Sequence, residues 1–169
     1  MKTLLPKLGV LSVVAALVTG LSISVDAADK KRFKSTHTAR QTVSETKSTP
    51  VPDHEFVQGV YVDPVKTKSP EFDVIESRIV NQDDTLNGDG RHRGVEILVF
   101  SNGDTAIDNY EGTHKVITKE GGAWEVNYVG KYEFVGGTGR FKNIKGHGTY
   151  RGHITPDALT EEDEAEVTY

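Results

Sequence analysis

The fold of this chain is decided by residues 132–141, which read Tyr-Glu-Phe-Val-Gly-Gly-Thr-Gly-Arg-Phe and lead to a second run at 146–152, Gly-His-Gly-Thr-Tyr-Arg-Gly. The first run begins with the alternation of a half-buried strand and then turns at its glycines. Glycine within a strand removes a side chain where the backbone bends sharply or where another group approaches closely. A small closed β-barrel turns its corners in this way. The two runs therefore predict an all-β fold.

The rest of the central region predicts further strands, separated by turn sequences such as Ser-Asn-Gly-Asp at 101–104 and Gly-Gly at 121–122. No segment shows the sustained period of an amphipathic helix. We therefore expect a small antiparallel β-barrel of about six to eight strands, because closure removes exposed sheet edges. The predicted strands cover residues 54–62, 72–80, 95–100, 105–118, 124–135 and 146–154, with a bulge at Gly112.

One face of the 124–135 strand carries aromatic side chains, whereas the other carries mostly polar ones. A period of two with aromatics on one face indicates that this face is buried. The returning strand places a tyrosine between glycines, and glycines opposite large rings suit the packing of a narrow barrel. We therefore expect an apolar interior with few charges. The predicted interior and ligand-binding residues are Trp124, Tyr128, Tyr132, Phe134 and Tyr150.

Residues 1–27 have the pattern of a secretory signal peptide. Lys2 and Lys7 precede an apolar run at 8–21, and Val25-Asp26-Ala27 supplies the small residues of a cleavage site. We expect cleavage after Ala27 and a secreted or periplasmic protein. The chain contains no cysteine, so core burial, and not disulfide bonds, must hold the exported domain together.

The remaining 142 residues suffice for one domain. Residues 28–52 are basic and poor in apolar side chains, which favours a disordered linker; residues 53–156 form the barrel domain; and residues 157–169 form an acidic tail. Removal of the signal peptide loses two lysines and one aspartate, which changes the formal charge from −5 to −6. An acidic chain repels phosphate backbones, so we expect no nucleic acid partner, and we expect no membrane span in the mature chain.

The turn at 134–141, Phe-Val-Gly-Gly-Thr-Gly-Arg-Phe, together with Gly146 and the returning strand, resembles the Gly-Gly-Thr-Gly-x-Phe turn of dirigent proteins and of the allene oxide cyclase barrel. It is also similar to secreted bacterial proteins of that barrel group. The resemblance covers residues 104–154. It implies a barrel whose mouth steers or cyclises reactive apolar molecules without a metal or organic cofactor, and it implies association into a dimer or trimer. None of the plant catalytic residues matches a position in this chain.

Tyr110 and His114 are the candidate catalytic residues, because regular pairing puts both on one strand face, where they could exchange a proton with a polarised carbonyl or epoxide. Packing of Tyr110 in the core and a rim position for His114 is the alternative. His147 and His153 lie ~20 Å apart on one strand, too far to share a metal. His92 is assigned to a loop. We therefore expect no metal site and no cofactor.

Residues 83–96 partly follow the pattern of a calcium-binding loop, with Asn87, Asp89 and Glu96 at ligand positions. The first position lacks its carboxylate and no helix flanks the loop, so a plain Asn-Gly turn is favoured. Two functions remain open. The first is an exported binding or scaffold module for a small hydrophobic molecule, and the alternative is a cofactor-free cyclase or isomerase that uses the barrel interior as a mould.

Overall fold

The computed structural model describes residues 30–37, 41–67, 69–156 and 158–169, and it describes the backbone alone at 37, 41–44, 46 and 48. The predicted signal peptide lies outside the described residues. Apart from two short 3₁₀ turns, at Glu120–Gly122 and Gly139–Phe141, the regular structure is β-strand. No helix in the described part of the chain is long and apolar enough to cross a membrane.

The described residues contain nine strand segments. Their bounds are β1 Lys31–His37, β2 Gln41–Ser48, β3 His54–Thr67, β4 Val74–Leu86, β5 Asp89–Phe100, β6 Thr105–Thr118, β7 Trp124–Gly137, β8 Lys145–Thr155 and β9 Ala158–Thr168. Segments β3 to β8 correspond to the six predicted strands, and most of them are longer than the sequence pattern suggested. The turns at 101–104 and 121–122 form as predicted, with Gly103, Gly121 and Gly122 at positive φ.

All strand pairs are antiparallel, and the sheet closes on itself. Each strand from β2 to β8 pairs with the next along the chain, and β1 pairs with both β9 and β3. The pairs Ser35–Thr67 and Gln41–Tyr61 place β1 and β2 one after the other along the same edge of β3. The two segments therefore share one position, and the ring has eight. This confirms the prediction of a closed antiparallel all-β fold.

The predicted linker and tail are wrong as structural assignments. Most of the described residues between 30 and 52 form β1 and β2, and most of the acidic run forms β9. In β9 the charges alternate with side chains that face the interior, so that Asp163, Ala165 and Val167 are buried. The ordered fold therefore extends from Lys31 to Thr168, well beyond the predicted domain limits of 53 and 156.

Opposite charges line the seam between β1 and β9. Arg32 is paired with Glu166 and Lys34 with Glu164, and their side chains form ion pairs of 3.2 and 3.1 Å. The hydrogen bonds from Lys30 and Arg32 lower the pKa of Glu166. Because these side chains are largely exposed, each ion pair contributes only ~0–1 kcal/mol.

The apolar core fills one end of the ring. Phe33 stacks on Phe72 with 3.8 Å between ring centroids, and Phe100 stacks on Phe141 at 4.0 Å. Phe141 belongs to the Gly-Gly-Thr-Gly turn, which folds across this end and buries Phe141 completely. Gly139 has φ +54, and a Cβ at that position would meet the Asp104 carboxylate, so the turn requires glycine. The motif that predicted the fold therefore closes one end of the ring.

Six glycines of β5 to β8 each lie opposite a ring on the neighbouring strand. A Cβ at any of them would come within 2.6 Å of an atom of that ring. The pairs are Gly90 with His114, Gly94 with Tyr110, Gly112 with His92, Gly130 with Tyr150, Gly148 with Tyr132 and Gly152 with Tyr128. This confirms that rings lie over glycines in a narrow sheet. Gly112 is not a bulge, because the register shift in this pair of strands lies between Ile107 and Asp108.

Candidate functional site

The half of the interior away from Phe141 is polar. The expectation of few interior charges is wrong, because Asp63, Asp108 and Asp163 are buried. The Ser35 hydroxyl donates to Asp163, and the Tyr132 hydroxyl donates to the same carboxylate at 3.1 Å. Burying a carboxylate is costly unless donors surround it, so these hydroxyls are part of what makes the interior possible. Further along the ring the polar groups are imidazoles and phenols.

Two histidines lie side by side in this polar half. His92 is on the inner face of β5 and is 8% exposed; it is not in a loop as the sequence analysis assigned it. His92 lies opposite Gly112 of β6, and His114 of β6 lies opposite Gly90 of β5. Because each glycine leaves room for the ring across from it, the imidazoles come together with centroids 5.7 Å apart. The glycine spacing of these two strands therefore creates the histidine pair.

The two Nδ1 atoms of the pair face each other and a carboxylate. His114 Nδ1 lies 3.5 Å from His92 Nδ1 and 3.8 Å from Oδ1 of Asp83 on β4. The three ligand-type atoms are all within 4.8 Å of one another. This is the set of side chains in the described residues that could hold a metal ion.

Hydroxyl groups hold the opposite edge of each imidazole. Thr85 Oγ1 lies 2.7 Å from His114 Nε2, and Tyr150 Oη lies 2.7 Å from His92 Nε2. Each imidazole is thus held by a hydrogen bond at Nε2, and its Nδ1 points toward the other imidazole. The four groups come from β4, β5, β6 and β8, so the pair is fixed in orientation by the sheet itself.

Asp83 is oriented by a second chain of hydrogen bonds. The side-chain amide nitrogen of Asn81 donates to Oδ2 of Asp83 at 2.6 Å. The Tyr110 hydroxyl donates to the side-chain oxygen Oδ1 of Asn81 at 2.7 Å. Oδ1 is the oxygen left on the side of His114. The Asp83 side chain is 21% exposed, so solvent reaches the cluster at this residue.

Burial controls the protonation of the cluster. It lowers the pKa of His92 to about 4, assisted by the neighbouring His114, and it also lowers the pKa of His114. Burial raises the pKa of Asp83 to about 6, an effect that the Asn81 hydrogen bond opposes. Desolvation disfavours the charged form in each case. Near neutral pH both imidazoles are therefore neutral, and each offers one nitrogen lone pair.

The structure brings the two predicted catalytic residues to the same inner face. His114 belongs to the cluster directly, and Tyr110 reaches it through Asn81. Sequence reasoning missed Asp83, Asn81 and His92, although Gly90, His92 and Gly94 alternate with arginines, which is a period-two signal for an inner face.

The five predicted ligand-binding residues have unequal exposure. Phe134 and Tyr132 are core residues, 1% and 7% exposed, and Tyr150 is 9% exposed and bonded to His92. Tyr128 is half-buried, and Trp124 lies at the start of β7 with 41% of its surface exposed. The row is therefore not uniformly interior, and its ligand-binding role stays a prediction.

An open depression of about 820 Å³ lies at the polar end of the ring. The residues that border it include His114 and Tyr128, which face the interior of the ring, and Leu86 and Val129, which face outward. A concave surface of this size suits a small molecule. Among the residues that border the depression, His114 is the member of the histidine pair.

Comparison of the sequence with the models of known protein families and with curated proteins gives no match.

Proposed function

We propose that this chain is a binding module for a small molecule that carries both an apolar ring and a hydrogen-bonding group. The observation that supports this most strongly is the fixed pair of neutral imidazoles beside the depression bordered by Tyr128 and Leu86. The original expectation of a purely hydrophobic ligand fits less well, because hydroxyl, amide and imidazole groups line this part of the interior. A ligand hydroxyl or carbonyl would satisfy such groups, and an apolar ring would cover Tyr128.

The single tryptophan provides the assay. Trp124 is at the same end of the ring, four residues before Tyr128 and therefore about 13 Å along the strand. We expect phenols and cyclic ketones to change Trp124 fluorescence saturably and to raise the melting temperature, since a ligand that binds only the folded state stabilises it. Saturated hydrocarbons of equal size should bind less tightly.

Two variants locate the binding site. His114→Gln removes the imidazole that borders the depression, and we expect it to weaken binding about tenfold or more, as loss of one hydrogen bond to a neutral group does. His147→Gln is the matched control, because His147 is exposed on β8 and faces outward. If both variants bind equally well, the site is not at His114 and the proposed location is wrong. If no compound stabilises the protein, the proposed function is wrong and a structural scaffold is the better description.

An acid–base enzyme is the second candidate, and the contact between Tyr150 and His92 favours it. A neutral imidazole next to a phenol can pass a proton to and from a bound carbonyl compound. The cyclases of the barrel group that this chain resembles also act on molecules held in the mouth of the barrel. If a compound found by the fluorescence screen is converted, Tyr150→Phe should lower kcat by about 10²–10⁴, the range of general acid–base catalysis. Tyr169→Phe is the control, because its hydroxyl bonds Glu71 far from the pair.

We also propose that the protein is exported and cleaved after Ala27, on the sequence pattern alone. Mass spectrometry of the protein recovered from the periplasm or medium should give a chain that begins at Ala28. An intact N-terminus on the recovered protein would contradict this. Sedimentation of the same sample tests the dimer or trimer that the family resemblance implies.

A further inference from the structure

We propose that Asp83, His92 and His114 form a binding site for a divalent transition-metal ion of the zinc type. This inference goes beyond small-molecule binding and does not depend on it. It rests on the positions of three ligand atoms, on the groups that hold them and on the access of solvent to the cluster.

The ligand atoms have nearly the spacing that a metal requires. Zinc bonds to nitrogen and oxygen are about 2.0–2.1 Å, so tetrahedral ligand atoms lie about 3.3 Å apart. Here His114 Nδ1 is 3.5 Å from His92 Nδ1 and 3.8 Å from Asp83 Oδ1. A small rotation of the Asp83 carboxylate toward the imidazoles completes a set of two nitrogens and one oxygen. Three protein ligands leave a fourth position for water, as in catalytic zinc sites.

The surrounding hydrogen bonds are those that orient metal ligands. A metal-bound histidine usually donates its second N–H to an oxygen, which fixes the tautomer and the ring plane. Thr85 and Tyr150 hydroxyls lie 2.7 Å from the two Nε2 atoms, and the Asn81 amide holds the second oxygen of Asp83. With protons on both Nε2 atoms, the two Nδ1 lone pairs point toward each other and toward the carboxylate. A cation between them removes this repulsion.

The chemistry of the ligand set selects the kind of ion. Two imidazoles and one carboxylate suit Zn²⁺, Co²⁺, Ni²⁺ or Cu²⁺, whereas Mg²⁺ and Ca²⁺ prefer oxygen ligands alone. Asp83 is accessible enough for an ion to enter. The outward-facing pair of His54 and Asp84 has one imidazole and one carboxylate 2.5 Å apart, and it is the competing location for a bound ion.

The test is a calorimetric titration of the tag-free protein, first treated with a chelator, with Zn²⁺. We expect one Zn²⁺ per chain, no comparable binding of Mg²⁺, and a visible absorption band of low-coordinate Co²⁺ when Co²⁺ replaces zinc. His114→Phe keeps a ring over Gly90 and should weaken zinc binding by about a hundredfold, whereas Thr85→Val, which removes only a supporting hydroxyl, should weaken it by about tenfold. His54→Asn is the matched control and should bind zinc as the parent does.

A measurement on the parent protein covers the case in which a variant does not fold. Zinc should shift the imidazole ¹⁵N resonances of His92 and His114 at Nδ1, and leave those of His147 and His153 unchanged. Absence of zinc binding, binding that survives both His114→Phe and Asp83→Asn, or loss of binding in His54→Asn would overturn the proposal.

Discussion

At the scale of single residues, the interior is built from glycine–ring pairs, and Gly152 with Tyr128 is the pair best suited to measurement. A Cβ at Gly152 would lie 2.0–2.5 Å from three atoms of the Tyr128 ring, and these are its nearest contacts. We expect Gly152→Ala to lower the free energy of unfolding by about 1–3 kcal/mol, the usual cost of overpacking.

The second half of this experiment is a double-mutant cycle. In a Tyr128→Ala background the ring is gone, so Gly152→Ala should cost much less than in the parent, and the difference measures the coupling. Urea denaturation of the four proteins gives the values. Equal costs in both backgrounds would show that the glycine is required for another reason, such as backbone conformation.

The interior tyrosines should resist ionisation. Burial raises the pKa of Tyr132 well above its ordinary value of 10, and it also raises the pKa of Tyr128 and of Tyr110. In the unfolded chain these phenols lose their protons above pH 10, while the folded state keeps them. The contribution of these tyrosines to stability is therefore constant below pH 10 and falls as the pH rises above it.

Ultraviolet absorbance of tyrosinate checks this prediction. In the folded protein Tyr110, Tyr128 and Tyr132 should contribute little tyrosinate near pH 10, whereas they should ionise with a midpoint of about pH 10 once urea has unfolded the chain. Ionisation of most of them near pH 10, with the circular dichroism of the sheet unchanged, would contradict the buried positions.

At the scale of elements, substitutions in β9 distinguish a strand from a disordered tail. Ala165 is 3% exposed, whereas its neighbour Glu164 points outward and pairs with Lys34. We expect Ala165→Asp to destabilise the protein by about 3 kcal/mol or more, because it buries a carboxylate at a position that was occupied by a methyl group and has no donor to pair with it. Glu164→Ala, the control, should cost ~0–1 kcal/mol. Thermal unfolding gives both values, and a tail would tolerate both changes equally.

The same element shows how far sequence reasoning reaches. Strands β3 to β8 were predictable, because apolar or aromatic side chains and glycine turns mark them. Strands β1 and β9 were not, because their inward positions include Ser35 and Asp163, which interrupt the apolar alternation. One of the hydroxyls that donate to the Asp163 carboxylate belongs to Ser35, 128 residues away in the sequence. The local pattern of neither strand predicts this hydrogen bond.

The candidate site was predictable only in part for the same reason. The shared face of Tyr110 and His114 follows from period two within one strand. The meeting of His114 with His92 and Asp83 depends on the register of β4, β5 and β6, which sets Gly90 opposite His114. Spacing within one strand does not by itself fix the register between strands, because the turn geometry and the buried face of the partner strand also set it.

At the scale of the whole molecule, the two ends of the described chain lie together. Lys31 pairs with Val167, and Lys31 also lies over the ring of Tyr169 at 4.8 Å. We expect a circular permutant, in which a short Gly-Ser linker joins Tyr169 to Lys30 and new ends are placed at Asn102, to fold with nearly the parent stability. Its far-ultraviolet spectrum and urea midpoint are the measurements.

Opening the permutant inside β7 instead of at the 101–104 turn is the control, and it should abolish folding, because it breaks a strand that lies between β6 and β8. If the permutant opened at Asn102 does not fold while the parent does, the seam between β1 and β9 does not join the ends as described here.

The seam also sets the order in which the protein can assemble. When the chain is synthesised from its N-terminus, Phe33 lies opposite a residue of the last strand to be made, Ala165 of β9, and β8 keeps an unpaired edge until β9 is present. Completion of the ring is thus a late, long-range step, which makes folding slow and leaves the edge open to other chains in the meantime. If the chain crosses a membrane before it folds, the edge of β8 can be paired only after β9 has also crossed.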